Sequence, residues 1–153
     1  MKWDLRFLGL AKHISEWSLD PSTKVGAVIV DDKNRVISLG FNGFPRGIKD
    51  DDRLLDRNKK LAIILHAEKN AIIFANKNLE NSVIYTYPFQ PCSVCAASII
   101  QSGIARVVSV VNYNTRWADS FKLSKEMFAE AGVELCLYKP EELRASTDYE
   151  NQV

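Results

Sequence analysis

Two short stretches constrain this chain more than any others: His66-Ala67-Glu68 and Pro91-Cys92-Ser93-Val94-Cys95. One imidazole and two sulfurs, spaced as H-x-E and P-C-x-x-C, are a donor set suited to tetrahedral zinc. Three protein ligands, His66, Cys92 and Cys95, leave a fourth position for water, whereas a structural zinc is normally closed by four. Zinc lowers the pKa of such a water toward neutrality. Glu68 is then free to move protons rather than bind metal. Cys136 and His13 are the remaining cysteine and histidine, and neither lies in a ligand-like motif. A closed site would also leave Glu68 without a task. The fold must therefore bring together two segments that each open a predicted helix.

The rest of the composition narrows the setting. With 153 residues, one domain over 1–153 is expected, with 139–153 as a partly ordered tail. Net charge is +1 with no basic block, which speaks against nucleic acid and for a small-molecule substrate. No apolar run approaches the ~20 residues of a membrane span, so no membrane partner is expected. Charge is spread through Met1 to Leu10, and no signal peptide is visible there. Two of three cysteines are assigned to metal, which points to a reducing, cytoplasmic compartment rather than a disulfide framework.

Periodicity gives the order of elements. Leu5 to Leu19 reads as a helix, with Asp4 as N-cap, Asp20-Pro21 as its end and Gly9 as a point of close packing. Val25 to Val30 is nearly all apolar, as in a strand buried on both faces. Arg35 to Phe41 completes a hairpin with it. His66 to Ala75 is a helix, and Ser82 to Tyr87 a strand. Pro91 suits the first turn of a helix that stops at Ser102-Gly103. Arg106 to Val111 is a strand, and Trp117 to Ala131 a helix buried through Trp117, Phe121, Phe128 and Ala131. Val133 to Tyr138 is an edge strand. The sum is a three-layer α/β/α domain with a five-stranded mixed sheet.

Two further stretches carry chemistry. Leu39 to Gly47 holds three glycines and a proline, a shaped loop in which glycine permits close approach to a ligand. Asn42 suits a sugar hydroxyl, and Arg46 a phosphate. A tight turn leaving the strand accounts for the same residues. Ile48 to Lys60 is polar and reads as solvated surface, although Asp50, Asp51, Asp52 and Asp56 are also candidates for Mg2+ carried by a regulatory nucleotide.

From about Leu5 to Tyr138 the sequence resembles the deoxycytidylate (dCMP) deaminases of the cytidine deaminase-like fold. The resemblance is carried by Asp20-Pro21 with Val25 to Val30, by Gly40 to Gly47, by His66 to Ile72, by Pro91 to Ala96 and by Ile99-Ile100-Gln101-Ser102-Gly103-Ile104. It implies one Zn2+ per subunit and hydrolysis of dCMP to dUMP and ammonia, feeding thymidylate synthesis. Glu68 would take a proton from water, protonate N3 and assist departure of the amino group. The backbone at Ala67 would contact the pyrimidine and Asn42 the sugar. Val25, Thr23, Lys24, Arg46 and Tyr113 would supply the remaining nucleotide contacts. The resemblance also implies a homo-oligomer, typically a hexamer, switched on by dCTP and off by dTTP.

The chain departs from the family pattern at Tyr87-Pro88-Phe89-Gln90, which holds one residue more than the usual strand-to-cysteine loop. The competing readings are a deaminase of dCTP, of a nucleoside, of guanine or of adenosine in tRNA, and a non-catalytic zinc module that senses nucleotides. The tRNA reading requires a basic surface for phosphates. The module reading leaves Glu68 unexplained.

Overall fold

The computed structural model describes residues 1–150 of the chain. Its elements in order are α1 (Lys2–Ser15), β1 (Gly26–Val30), β2 (Val36–Phe41), a 3-10 turn (Asp52–Leu54), α2 (Arg57–Ile63), α3 (Ala67–Ala75), β3 (Val83–Tyr87), α4 (Ser93–Gln101), β4 (Arg106–Val110), a second 3-10 turn (Thr115–Trp117), α5 (Ala118–Ala131), β5 (Glu134–Tyr138) and α6 (Pro140–Glu150). The five strands form one sheet in the order β2-β1-β3-β4-β5. β1 is antiparallel to both β2 and β3, while β3, β4 and β5 run parallel. The sheet is mixed, as expected.

β1 is buried at every position because both faces of the sheet are covered. Its side chains alternate. Ala27 and Ile29 join the core that includes Ala67, Ala71, Ala96, Ile99 and Phe128, from α3, α4 and α5. Val28 and Val30 join the opposite core with Phe7, Leu8 and Ala11 of α1 and Leu143 of α6. This alternation produces the three layers. Two glycines set the helix-to-sheet distance. A Cβ on Gly26 would overlap the Ala11 carbonyl oxygen, and one on Gly40 the Ala67 carbonyl oxygen and the Ala71 backbone. Gly40 thus admits the backbone of α3, not a ligand. Gly9 has open space where a Cβ would stand, so it serves no close packing.

Several boundaries differ from the sequence reading. α1 ends at Ser15, not Leu19, and Met1 rather than Asp4 occupies its N-cap. Asp4 is instead buried in the first turn and paired with Arg106. Pro91 lies just before α4, where Cys92 is the N-cap. Ala131 is exposed. The polar run after Ile48 is not all loop: Asp51 caps the first 3-10 turn, and Asp56 accepts from the Lys59 amide to start α2. Within the expected tail, Pro140–Glu150 is helical. The Lys139 amide donates to Glu142 Oε2 at 2.7 Å, half of a capping box, and Leu143 is buried. Residues 151–153 of that expected tail lie outside the described residues. No helix among the described residues is long and apolar enough to cross a membrane.

Candidate active site and metal centre

His66 and Cys92 are the N-cap residues of α3 and α4, both in extended backbone and neither spending its side chain on a capping hydrogen bond. That leaves an imidazole and a sulfur free at two converging helix starts. Cys95, in the first turn of α4, is fully buried. Its Sγ lies 3.2 Å from His66 Nδ1, and Cys92 Sγ lies 3.5 Å from the same nitrogen. The three ligand atoms fall within 4.8 Å of one another. A tetrahedral zinc with ordinary Zn–N and Zn–S bonds requires N-to-S edges of about 3.5 Å. The donor set and its spacing fit zinc, and Cys136 and His13 are not in the cluster.

Electrostatics favours a thiolate at Cys92. Cys92 is lowered to about 4, chiefly by the hydrogen bond from Cys95 and then by His66, against the opposing effect of burial. Cys95 is pushed up, because it holds its proton toward Cys92 and is itself buried. His66 is raised, chiefly by its contact with Cys92. The amides at the start of α4 add positive potential beside both sulfurs. Glu68 is 3% exposed, and burial pushes its carboxyl up. A carboxyl raised from its ordinary value is suited to give as well as take a proton near neutral pH.

Part of this cluster opens onto one cavity. His66, Ala67, Glu68 and Cys92 line it together with Thr23, Val25 and Asn42. Phe89, Trp117 and Phe121 form an aromatic wall, with Phe89 centred 5.4 Å from Phe121 and 6.3 Å from Trp117. Leu61 and Ile64 extend the apolar lining.

Asn42 is largely committed within the protein. Its Oδ1 accepts from the Val25 amide at 2.8 Å, and its Nδ2 donates to the Thr23 carbonyl at 2.8 Å and to Asp20 Oδ2 at 3.3 Å. It shapes the wall, and one Oδ1 lone pair remains for a ligand. Three expected contacts are not brought to the cavity. Arg46 lies over Phe74, 5.9 Å from the ring centroid, in a separate depression. Lys24 and Tyr113 are exposed and line neither.

The structure adds residues that the sequence reading missed. Lys60 is buried, and its Nζ donates to Asp20 Oδ1 at 3.0 Å and to Ser22 Oγ at 3.1 Å. Asp20 Oδ1 also accepts from the Ser22 and Thr23 amides. This network fixes the loop between α1 and β1 as a cavity wall. Arg57 and Arg116 are exposed and line the same cavity. Among the described residues neither has a carboxylate partner. The available signal is the spacing of Arg57, Lys60, Leu61 and Ile64 at i, i+3, i+4 and i+7, which straddles the end of the run read as solvated surface.

The family described as "Cytidine and deoxycytidylate deaminase zinc-binding region" matches residues 1–111. An uncharacterized deaminase encoded in the luxG 3' region of Aliivibrio fischeri is 44% identical over 137 residues, covering 88% of this chain and 92% of that protein. The probable deoxycytidylate deaminase of Drosophila melanogaster is 35% identical over 167 residues, covering 98% and 79%. The crystal structure of dCMP deaminase from the cyanophage S-TIM5 in complex with dCMP and dUMP is similar in fold, with a TM-score of 0.71 and 24% identity over 87% of this chain and 94% of that one.

Proposed function

The chain belongs to the cytidine and deoxycytidylate deaminase family of zinc-binding hydrolases, and from that premise we propose that it hydrolyses dCMP to dUMP and ammonia, with His66, Cys92 and Cys95 as the zinc ligands and Glu68 as the proton carrier. The observation that carries this reading is the clustering of the three ligand atoms, with His66, Cys92 and the buried Glu68 lining one cavity. When bound, zinc would supply a nucleophilic oxygen near neutral pH.

The chain's own residues do the rest. Val25 and Ala67, both buried, flank the base, and the aromatic wall excludes water from it. Glu68 takes a proton from water as oxygen bonds to C4, and passes it to N3. It then carries the proton of the new C4 hydroxyl to the amino group, so that C4=O forms as the C4–N bond breaks and ammonia leaves. Thr23 and the remaining lone pair of Asn42 face the sugar. Arg57 and Arg116, rather than Arg46, Lys24 or Tyr113, receive the 5′-phosphate as charge-assisted partners.

The test is ammonia release by zinc-loaded protein across dCMP, dCTP, CMP, deoxycytidine and a tRNA, each with and without added dCTP or dTTP. Preference for dCMP supports the reading, and a response to the added nucleotides supports the effector control that the resemblance implies. Silence on every cytosine substrate, with zinc bound, overturns it.

A further inference from the structure

The three ligands are not equally well held. His66, the N-cap of α3, follows Leu65, whose backbone is paired with Gly43, and Cys95 sits inside the first turn of α4. Cys92 stands outside the helix, in extended backbone at φ −68 and ψ 170, so its position depends on the loop that leads into it. That loop contains Gln90, which is 6% exposed. Its Nε2 donates to the Phe121 carbonyl at 3.0 Å and to Ser124 Oγ at 2.9 Å. Both amide protons are thereby spent on α5, so turning this side chain away would break two buried bonds.

On the other side of Cys92, the Ser93 amide donates to Ser120 Oγ at 3.1 Å. That amide belongs to the first turn of α4 and has no partner within its own helix. Cys92, the N-cap, gives it none. A hydroxyl from α5 takes over the capping task and leaves the Cys92 sulfur free. Cys92 is therefore pinned to α5 from both sides, through residues that share one turn of that helix. Phe121 in the same turn packs on Phe89 in the cavity wall.

We propose that Gln90 is a positioning residue for the metal ligand Cys92, with Ser120 as its second anchor. α5 acts as a clamp that holds the Cys92 sulfur in register with His66 and Cys95. The proposal rests on the reading of these three residues as zinc ligands, and it gives a task to the loop in which the sequence departs from the family pattern. Groups that orient a metal ligand from behind typically govern metal affinity by about 10–100-fold.

The experiment compares zinc affinity of the parent chain and Gln90→Met by competition with a chromophoric chelator. Methionine keeps the length and loses both donors. The expected result is about 10–100-fold weaker zinc binding with an unchanged circular dichroism spectrum. The rise in unfolding midpoint on adding zinc should shrink, and Ser120→Ala should move affinity the same way by less. A merely structural role would lower stability equally with and without zinc. Unchanged affinity in folded Gln90→Met overturns the proposal. Should that variant fail to fold, Ser124→Ala removes only one acceptor: weaker zinc binding supports the clamp, and unchanged binding overturns it. A parent chain that binds no zinc overturns the ligand reading itself. A parent that binds zinc but ignores dCMP overturns the substrate reading and leaves the clamp testable by the same affinities.

Discussion

Asp4 and Glu68 are two carboxyls with nearly the same exposure, 4% and 3%, and opposite chemistry. Asp4 is surrounded by donors. Arg106 donates to both of its oxygens at 2.8 Å, Tyr85 donates at 2.9 Å and Tyr138 at 2.8 Å. Burial alone would raise its pKa, but the Arg106 guanidinium and the two phenols outweigh it and hold Asp4 at about 2. Glu68 has no such cage, and burial dominates and pushes it up. Burial therefore does not fix the state of a carboxyl; the donors that come with it do. The first arrangement makes a permanent anion that ties α1 to β3, β4 and β5. The second makes a group able to change its proton.

The largest effect that tests this contrast is on turnover. Glu68→Gln should cost about 10²–10⁴-fold in kcat, the usual worth of a positioned proton carrier. Zinc content should hold, and stability should stay level or rise, because a buried carboxyl has been removed. Ammonia release, metal analysis and thermal unfolding check the three together; substantial activity would remove Glu68 as the proton carrier. Asp4→Asn should do the reverse. Breaking a buried, multiply bonded pair costs about 3 kcal/mol, read by denaturant unfolding. Turnover per folded molecule at 25 °C should match the parent. A variant that kept its stability and lost its rate would erase the distinction.

What was legible in the sequence follows from range. His66, Glu68, Cys92 and Cys95 stand in two local motifs, and each motif is a helix start, so spacing alone picks out the cluster that the structure draws together. β1 was legible because an unbroken apolar run has few other fates in an α/β sheet. Asp4 was misread because a local capping rule fits an aspartate near a helix start, while Arg106 and Tyr138 lie far along the chain and meet it only in the folded sheet. Lys60 was read as solvated for the same reason. Nothing in its neighbourhood reveals that Asp20 waits across the cavity wall. Arg46 is a candidate in the sequence because a guanidinium can grip a phosphate bidentately. Its loop is instead tied back to the residue before His66 by paired bonds between Gly43 and Leu65, and Arg46 points to Phe74.

The Asp4 cage also makes a prediction about acid. Its pKa falls from an ordinary 3.8 to about 2 on folding. A depressed acid stabilises the fold above its unfolded pKa, and that stability drains away as pH falls through the folded value. The parent should therefore lose about 2 kcal/mol between roughly pH 4 and pH 2 that Asp4→Asn does not lose. The measurement is unfolding free energy against pH for both chains; parallel curves would show that the cage does not hold the proton off.

The smallest effect extends the comparison from the acids to the arginines. Arg106 is neutralised by Asp4 and Glu134, at 2.8 and 3.2 Å, and has no charge to offer a ligand. Arg57 and Arg116 line the cavity with no carboxylate among the described residues to neutralise them. An exposed guanidinium that meets a phosphate only when substrate arrives contributes about one charge-assisted hydrogen bond, less what solvent screens. Arg116→Ala should accordingly raise KM for dCMP by about 10-fold, or about 1.4 kcal/mol, and leave kinetics on deoxycytidine unchanged. Arg46→Ala should leave both substrates untouched. Equal losses on dCMP and deoxycytidine would place Arg116 in the cavity wall beside Trp117 rather than on the phosphate. A loss confined to Arg46→Ala would mean that the phosphate is read outside this cavity, by the depression under Phe74.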